Sequence, residues 1–243
     1  FMVLCHQRRT MLMPYCKQLE REIASLHMTR RPRSYMNVPV TRRRSSVDGV
    51  ADLCQMPVHE VVNYMNADDD GVRVLIQGYA GTGKSSLLAE VLHVASLRLR
   101  IGESSCRVPV LLSVLDESSL VEAARRKLEN SLHPAIVDVL IRSRSVVLCV
   151  DGAEGVSPGG LRKAVGGRMS AFPQIWCSRP NNWMEPVLRS SGRLPLVVLG
   201  TQNWSREQVA IFLAETDKVP EHLLAACRDH DGSYSPLLVS LAV

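Results

Sequence analysis

The feature that most constrains the fold is the octapeptide Gly78-Tyr79-Ala80-Gly81-Thr82-Gly83-Lys84-Ser85. It fits the phosphate-binding pattern GxxxxGK[ST] at each fixed position. Its surroundings fit as well. Val74, Leu75 and Ile76 precede it as a short apolar strand. Leu87, Leu88, Val91, Leu92 and Ala95 follow it on one face of a helix. Glycines let the backbone wrap closely and turn successive N–H groups toward phosphate oxygens. The helix N-terminus adds the positive end of its dipole. Lys84 then reaches the β- and γ-phosphates as a point charge, and Ser85 offers a hydroxyl ligand to Mg2+. Gly78, Tyr79, Ala80, Gly81, Thr82, Gly83 and Ser86 complete the candidate nucleotide-binding set. No GxGxxG can be laid over the loop, so a dinucleotide fingerprint is excluded.

Such a loop needs an acid at the end of a neighbouring buried strand, to hold Mg2+ through its water shell. Asp151, after the apolar run Val146-Val147-Leu148-Cys149-Val150, is placed for this. Glu154 is the nearest candidate for polarising the attacking water. Arg179, after Trp176-Cys177-Ser178 and before Pro180, can face the γ-phosphate from the end of the next strand.

The rest of the chain supplies the frame. Apolar strand-length runs at 73–77, 107–114, 145–150, 174–177 and 194–199 alternate with helical patterns at 84–99, 120–132, 135–141 and 161–169. Five strands with helical crossovers predict an α/β fold: a three-layer sandwich around a five-stranded, mostly parallel sheet. Helical patterns at 205–215, 220–228 and 236–243 predict a small helical subdomain after it. The expected divisions are a segment over 1–69, a nucleotide-binding domain over 70–200 and the start of a helical subdomain over 201–243. In the first segment, residues 16–27 and 57–65 read as short helices and residues 33–41 as at best an edge strand. The chain opens on Phe1 with no signal pattern, and its last helix meets no stop signal, so it reads as a piece of a longer protein.

Charge sets that first segment apart. Residues 1–49 hold ten Lys/Arg against three Asp/Glu, while the remaining residues hold nineteen against twenty-one. The clusters at Arg30, Arg31, Arg33 and at Arg42, Arg43, Arg44 could touch nucleic acid, an acidic membrane or an acidic partner. A solvated arm is the plainer expectation. Only Tyr35 interleaves with these arginines, which argues against single-strand binding by stacking. Seven scattered cysteines without a CxxC pair suggest neither a disulfide framework nor a zinc site. A reducing, cytoplasmic setting is expected.

Residues 78–85, Asp151-Gly152-Ala153-Glu154 and Cys177-Ser178-Arg179-Pro180 together resemble the NACHT branch of the STAND P-loop NTPases, the nucleotide switch domain of NOD-like receptors. Trp204-Ser205-Arg206-Glu207-Gln208-Val209 and Ser235-Pro236-Leu237-Leu238 resemble that family's passage into its first helical subdomain. The resemblance implies that Pro236 lies near the nucleotide base. It also implies a Mg2+-dependent ATP or GTP switch with slow hydrolysis, and a full-length protein that assembles into homo-oligomers and signals through sensor and effector partners. The family's winged-helix part would lie beyond Val243. Gly155 stands where many members carry a second acid, and Tyr234 where a glycine is common. No NKxD string is present to read guanine. Two other readings stay open: an AAA-like or DNA-associated ATPase using turnover for mechanical work, and a non-hydrolysing scaffold.

Overall fold

The computed structural model describes residues 2–26, 40–43, 54–55, 58–66, 71–113, 120–166, 171–191, 194–214, 221–236 and 238–239. Its centre is five parallel strands: β3 (Arg73–Gln77), β4 (Val108–Ser113), β5 (Val146–Asp151), β6 (Gln174–Ser178) and β7 (Leu196–Thr201). Their spatial order is β7-β3-β6-β5-β4. Every residue of β3 and β6 is buried, and so are Val146 to Val150 of β5. Strands covered on both faces are apolar along their middles, here Val74 to Ile76, Val146 to Val150 and Ile175 to Cys177, which is why these three runs are so easily read. The fold is α/β, with the five-stranded parallel core and the helical crossovers expected.

The sheet is wider than expected. Strands β1 (Val40–Arg43) and β2 (Cys54–Gln55) extend it, β1 pairing antiparallel with β7 and β2 with β1. Of the edge strand expected over 33–41, residues 40–41 fall in β1, which lies between β2 and β7 rather than at the edge, and residues 33–39 lie outside the described residues. Arg42 and Arg43 are backbone members of the sheet, while Arg30, Arg31, Arg33 and Arg44 lie outside the described residues.

The connections explain where a ligand fits. From β3 the chain passes through α3 (Lys84–Arg100) to β4 at the far edge. The later connections return across the sheet. They run through α4 (Leu120–Glu129) and α5 (Pro134–Arg142), then α6 (Pro158–Val165), then α7 (Met184–Ser190), and the last step crosses β3 to reach β7. Right-handed crossovers put α3 on one face and the returning helices on the other. The strand order reverses beside β3, and the carboxyl end of a strand at such a point opens into a crevice.

The N-terminal segment packs on this core. Helix α1 (Met2–Leu26) buries Leu12, Tyr15, Cys16, Leu19 and Ile23 in the main hydrophobic cluster, and Tyr15 Oη donates to Pro109 O of β4 at 2.7 Å. It runs straight through Pro14, where the sequence reading starts a helix only at residue 16. A helix-interior proline costs about 3 kcal/mol, and burying Leu12, Tyr15, Leu19 and Ile23 offsets it. Helix α2 (Val58–Asn66) lays Val61, Val62 and Met65 into the same cluster, close to the expected span. No helix among the described residues is long and apolar enough to cross a membrane.

Past β7 lies a second, smaller cluster of Trp204, Val209, Cys227 and Val239. It joins α8 (Arg206–Ala214), α9 (Glu221–Ala226) and an antiparallel bridge between Trp204 and Tyr234. Of the helix expected over 236–243, only residues 236 and 238–239 are described. Residues 167–169, the expected end of α6, also lie outside the described residues.

Arg73 is an unexpected core residue. It is fully buried at the start of β3, and its guanidinium donates to Leu188 O at 2.8 Å and Val165 O at 3.4 Å. Those carbonyls belong to the C-terminal ends of α7 and α6, where intrahelical donors run out. A cation there also meets the negative end of two helix dipoles. Arg73→Met leaves both carbonyls buried without this donor, and each such loss costs roughly 1–3 kcal/mol. A thermal melt should show the variant lowered by at least about 4 °C. An unchanged midpoint would remove Arg73 from the account of how α6 and α7 are fastened.

Candidate functional site

The loop after β3 is shaped by its glycines. Gly81 and Gly83 have φ of 80° and 89°, a left-handed backbone that costs other residues about 1–2 kcal/mol. Gly83 is the N-cap of α3, whose first turn carries Lys84, Ser85 and Ser86. Gly78 N donates to Ser178 O at 3.3 Å, so the loop leaves β3 still fastened to β6. Thr82 Oγ1 donates to Tyr79 O at 2.9 Å, and Lys84 Nζ donates to the same carbonyl at 2.7 Å. The Tyr79 ring is exposed and Thr82 is buried.

Parallel register brings the other groups to this edge. Gln77 of β3 pairs with Ser178 of β6, so Arg179 begins level with Gly78. On the far side of β6, Val150 pairs with Trp176, which places Asp151 one step from the same edge. Asp151 Oδ1 accepts from Gly152 N at 3.0 Å. Gly152, with φ of 70°, turns the chain into a short 3-10 turn that carries Glu154 back toward Arg179. Arg179 Nε and Glu154 Oε1 are 3.4 Å apart, with side chains 63% and 37% exposed. Asn181 fixes the chain beyond Pro180, since its Oδ1 accepts from Met184 N at 2.8 Å at the start of α7.

Lys84, Asp151, Glu154 and Arg179 therefore converge at the carboxyl edge of the sheet. Burial pulls the Lys84 pKa below the usual lysine value, while Glu154, Cys177 and Asp151 pull it back up and Arg179 opposes them. Cys177 is fully buried, and its thiol is pushed well up, first by burial and then by Asp151. It is an inert core group. The oxygen donors Ser85 and Asp151 suit Mg2+, a hard cation that keeps several waters and takes one or two protein ligands. Among the described residues no three His, Cys, Asp or Glu side chains form a metal-holding group. Pro236 is buried in the helical segment, between Tyr234 and Val239 of the second cluster in sequence.

One residue at the edge was not anticipated. Thr201 ends β7 one step past the Gln77–Gly200 pair, level with Gly78, and is 7% exposed. Its Oγ1 lies 2.7 Å from Thr82 Oγ1. The signal available in the sequence was a hydroxyl residue ending a strand, at the same end of the sheet as Asp151.

No protein-family model matches the chain, and no curated protein matches it. Among solved structures it is similar to Drosophila ORC bound to DNA, at 15% identity and a TM-score of 0.50, covering 93% of this chain and 58% of that one. It is also similar to the Aeropyrum pernix ORC1 protein in complex with DNA, at 14% identity and a TM-score of 0.46. AMPPCP-bound DnaA from Aquifex aeolicus is similar at 14% identity and a TM-score of 0.44. Each of these last two covers 75% of this chain and 56% of the other. The chain thus spans little more than half the length of these structures. The likeness to Drosophila ORC is one of fold, and with the loop geometry it identifies the P-loop NTPase fold.

Proposed function

We propose that this chain binds a nucleoside triphosphate with Mg2+ at residues 78–86 and hydrolyses it, as an AAA-like, DNA-associated P-loop ATPase. The observation that carries the reading is the convergence of Lys84, Asp151, Glu154 and Arg179 on a glycine-shaped loop. The loop amides and the α3 dipole would cradle the phosphates. Lys84 would neutralise the β- and γ-phosphates. Ser85 and Asp151 would hold Mg2+, which supplies charge compensation at the transferring phosphoryl group. Glu154 would orient a water and draw off its proton. Arg179 would meet the γ-phosphate. Its pairing with Glu154 is exposed enough to be worth under about 1 kcal/mol, so a phosphate can displace it. ATP is the first choice of nucleotide, with GTP as the alternative.

The fold shared with an ORC structure bound to DNA favours the DNA-associated reading. A basic N-terminal segment supports it, with β1 carrying Arg42 and Arg43 at the sheet's side. A second reading, the NACHT-type switch, is favoured by Gly152. Many motor ATPases carry a glutamate directly after the metal-binding Asp, and here the acid comes only at Glu154. Oligomerisation of the full-length protein goes with either reading. So does a role for 201–243 as the start of a helical subdomain.

The test is equilibrium binding and turnover with ATP and GTP, with and without Mg2+ and duplex DNA, in parent and Asp151→Asn. Mg2+-dependent binding by the parent should weaken at least about tenfold in the variant, and hydrolysis should vanish. Turnover raised by DNA supports the ATPase reading, and slow DNA-indifferent turnover the switch. An unchanged Mg2+ titration in the variant would return Asp151 to an ordinary strand end.

A further inference from the structure

The hydrogen bonds around Thr201 form an unbroken line from the end of β7 to the loop lysine. Thr201 Oγ1 lies 2.7 Å from Thr82 Oγ1, Thr82 Oγ1 donates to Tyr79 O at 2.9 Å, and Lys84 Nζ donates to that carbonyl at 2.7 Å. Each hydroxyl has one proton to give. If Thr82 gives its proton to Tyr79 O, Thr201 must donate to Thr82. The opposite order sends the Thr82 proton to Thr201 and the Thr201 proton to Gln77 O, a contact of 3.5 Å. The first order makes the shorter bonds throughout. In it, Tyr79 O keeps a side-chain donor when Lys84 turns toward a phosphate, and that donor is itself held by Thr201.

Packing leaves the pair no slack. A Cβ on Gly78 would lie 1.9 Å from Thr201 Oγ1 and 2.5 Å from Thr82 Oγ1. The hydroxyls therefore press directly on the loop backbone. On its other side Thr201 is joined to the helical segment by only Gln202 and Asn203. Asn203 Nδ2 donates to Ser233 Oγ at 3.1 Å and to Asp229 Oδ2 at 3.3 Å. Trp204 and Tyr234 then exchange backbone hydrogen bonds of 2.8 and 2.9 Å. Thr82 is thus linked, through Thr201 and two residues, to the bridge on which the second cluster is built.

We infer that Thr201 is a positioning residue that couples nucleotide occupancy of the phosphate loop to the helical segment after β7. The inference rests on the reading that residues 78–86 bind a triphosphate. Coupling of this kind exists only where the nucleotide biases the packing of the distant segment, so the measurement must be made there.

The experiment is hydrogen exchange on the full chain, with and without Mg2+-ATP, for parent, Thr201→Ala and Thr201→Ser, alongside ATP affinity and a thermal melt. Serine keeps the hydroxyl and alanine removes it. In the parent and in Thr201→Ser, ATP should protect both 78–86 and 204–235. In Thr201→Ala, ATP should bind about three- to tenfold more weakly. It should still protect 78–86, while exchange over 204–235 stays as it is without nucleotide. Full ATP-dependent protection of 204–235 in Thr201→Ala would overturn the coupling role. So would a Thr201→Ser variant that behaves like alanine. A parent that binds no triphosphate would sink the nucleotide reading itself, and the coupling with it, an outcome distinct from either of these.

Discussion

Lys84→Ala should weaken Mg2+-ATP binding about a hundredfold or more and leave the melting temperature within a degree or two of the parent. A charge-assisted hydrogen bond is worth roughly 1.5–3 kcal/mol, and the ammonium can make two of them to a triphosphate. Among the described residues the same group makes one hydrogen bond, to Tyr79 O. Tyr79 O keeps Thr82 as a donor when it goes. The cradle itself is set by the φ of Gly81 and Gly83, which the variant does not touch. Acidity gives a second signature. Burial lowers the Lys84 pKa and phosphates would raise it again, so binding takes up a proton wherever the free ammonium is partly neutral. Parent affinity should therefore fall as pH climbs through the alkaline range, and Lys84→Ala should flatten that fall. Titration of a fluorescent ATP analogue at several pH values measures both effects. Equal affinity in variant and parent would mean that residues 78–85 are not a phosphate site.

The legible parts of this structure are those whose determinants are local. The loop from Gly78 to Ser85 declares itself because glycine, lysine and hydroxyl must occur at fixed spacing for one short turn to hold phosphates. Strands β3, β5 and β6 declare themselves because both their faces are covered. The same locality explains the misses. The first helix is read only from residue 16 rather than from Met2, since the packing of Leu12 and Tyr15 on the core is decided far from them in sequence. Helix α7 is short, carries Pro186 in its first turn, and hides between two strands. Strand β1, with the sequence Val-Thr-Arg-Arg, has no apolar alternation, and its pairing with β7 and β2 makes it a strand.

The site divides along the same line. Asp151 and Arg179 could be placed because strand ends of a parallel sheet lie on one edge. That Glu154 reaches Arg179 depends on the left-handed Gly152, which spacing alone does not reveal. Thr201 depends on the register between β7 and β3, a long-range fact. The NACHT resemblance rests most on three short strings clustered at this edge, with two looser ones in the helical segment after it. Such strings report the chemistry of phosphate binding more directly than they report which kind of P-loop protein carries it.

Gly78→Ala should lower stability by about 1–3 kcal/mol and nucleotide affinity by roughly a hundredfold. Gly78 does not sit in the left-handed region, so the reason is space. The new Cβ would fall 1.9 Å from Thr201 Oγ1, 2.5 Å from Thr82 Oγ1 and 3.2 Å from the Thr201 carbonyl. The backbone has no easy retreat, because Gly78 N is bonded to Ser178 O on the opposite neighbour strand. Thr82 can rotate away only by breaking its bonds to Tyr79 O and Thr201, which releases the loop. A displacement near 1 Å at a phosphate cradle spoils the aim of several amides at once. Two controls separate this from a generic glycine effect. At Gly152 a Cβ would meet nothing within 4 Å, so Gly152→Ala carries only the left-handed backbone penalty of about 1 kcal/mol and should retain binding. Adding Thr201→Gly to Gly78→Ala removes the worst contact and should recover part of the lost stability. Melting curves and ATP titrations of the four proteins decide the matter. A Gly78→Ala protein no worse than Gly152→Ala would show that β7 does not press on the loop as this geometry requires.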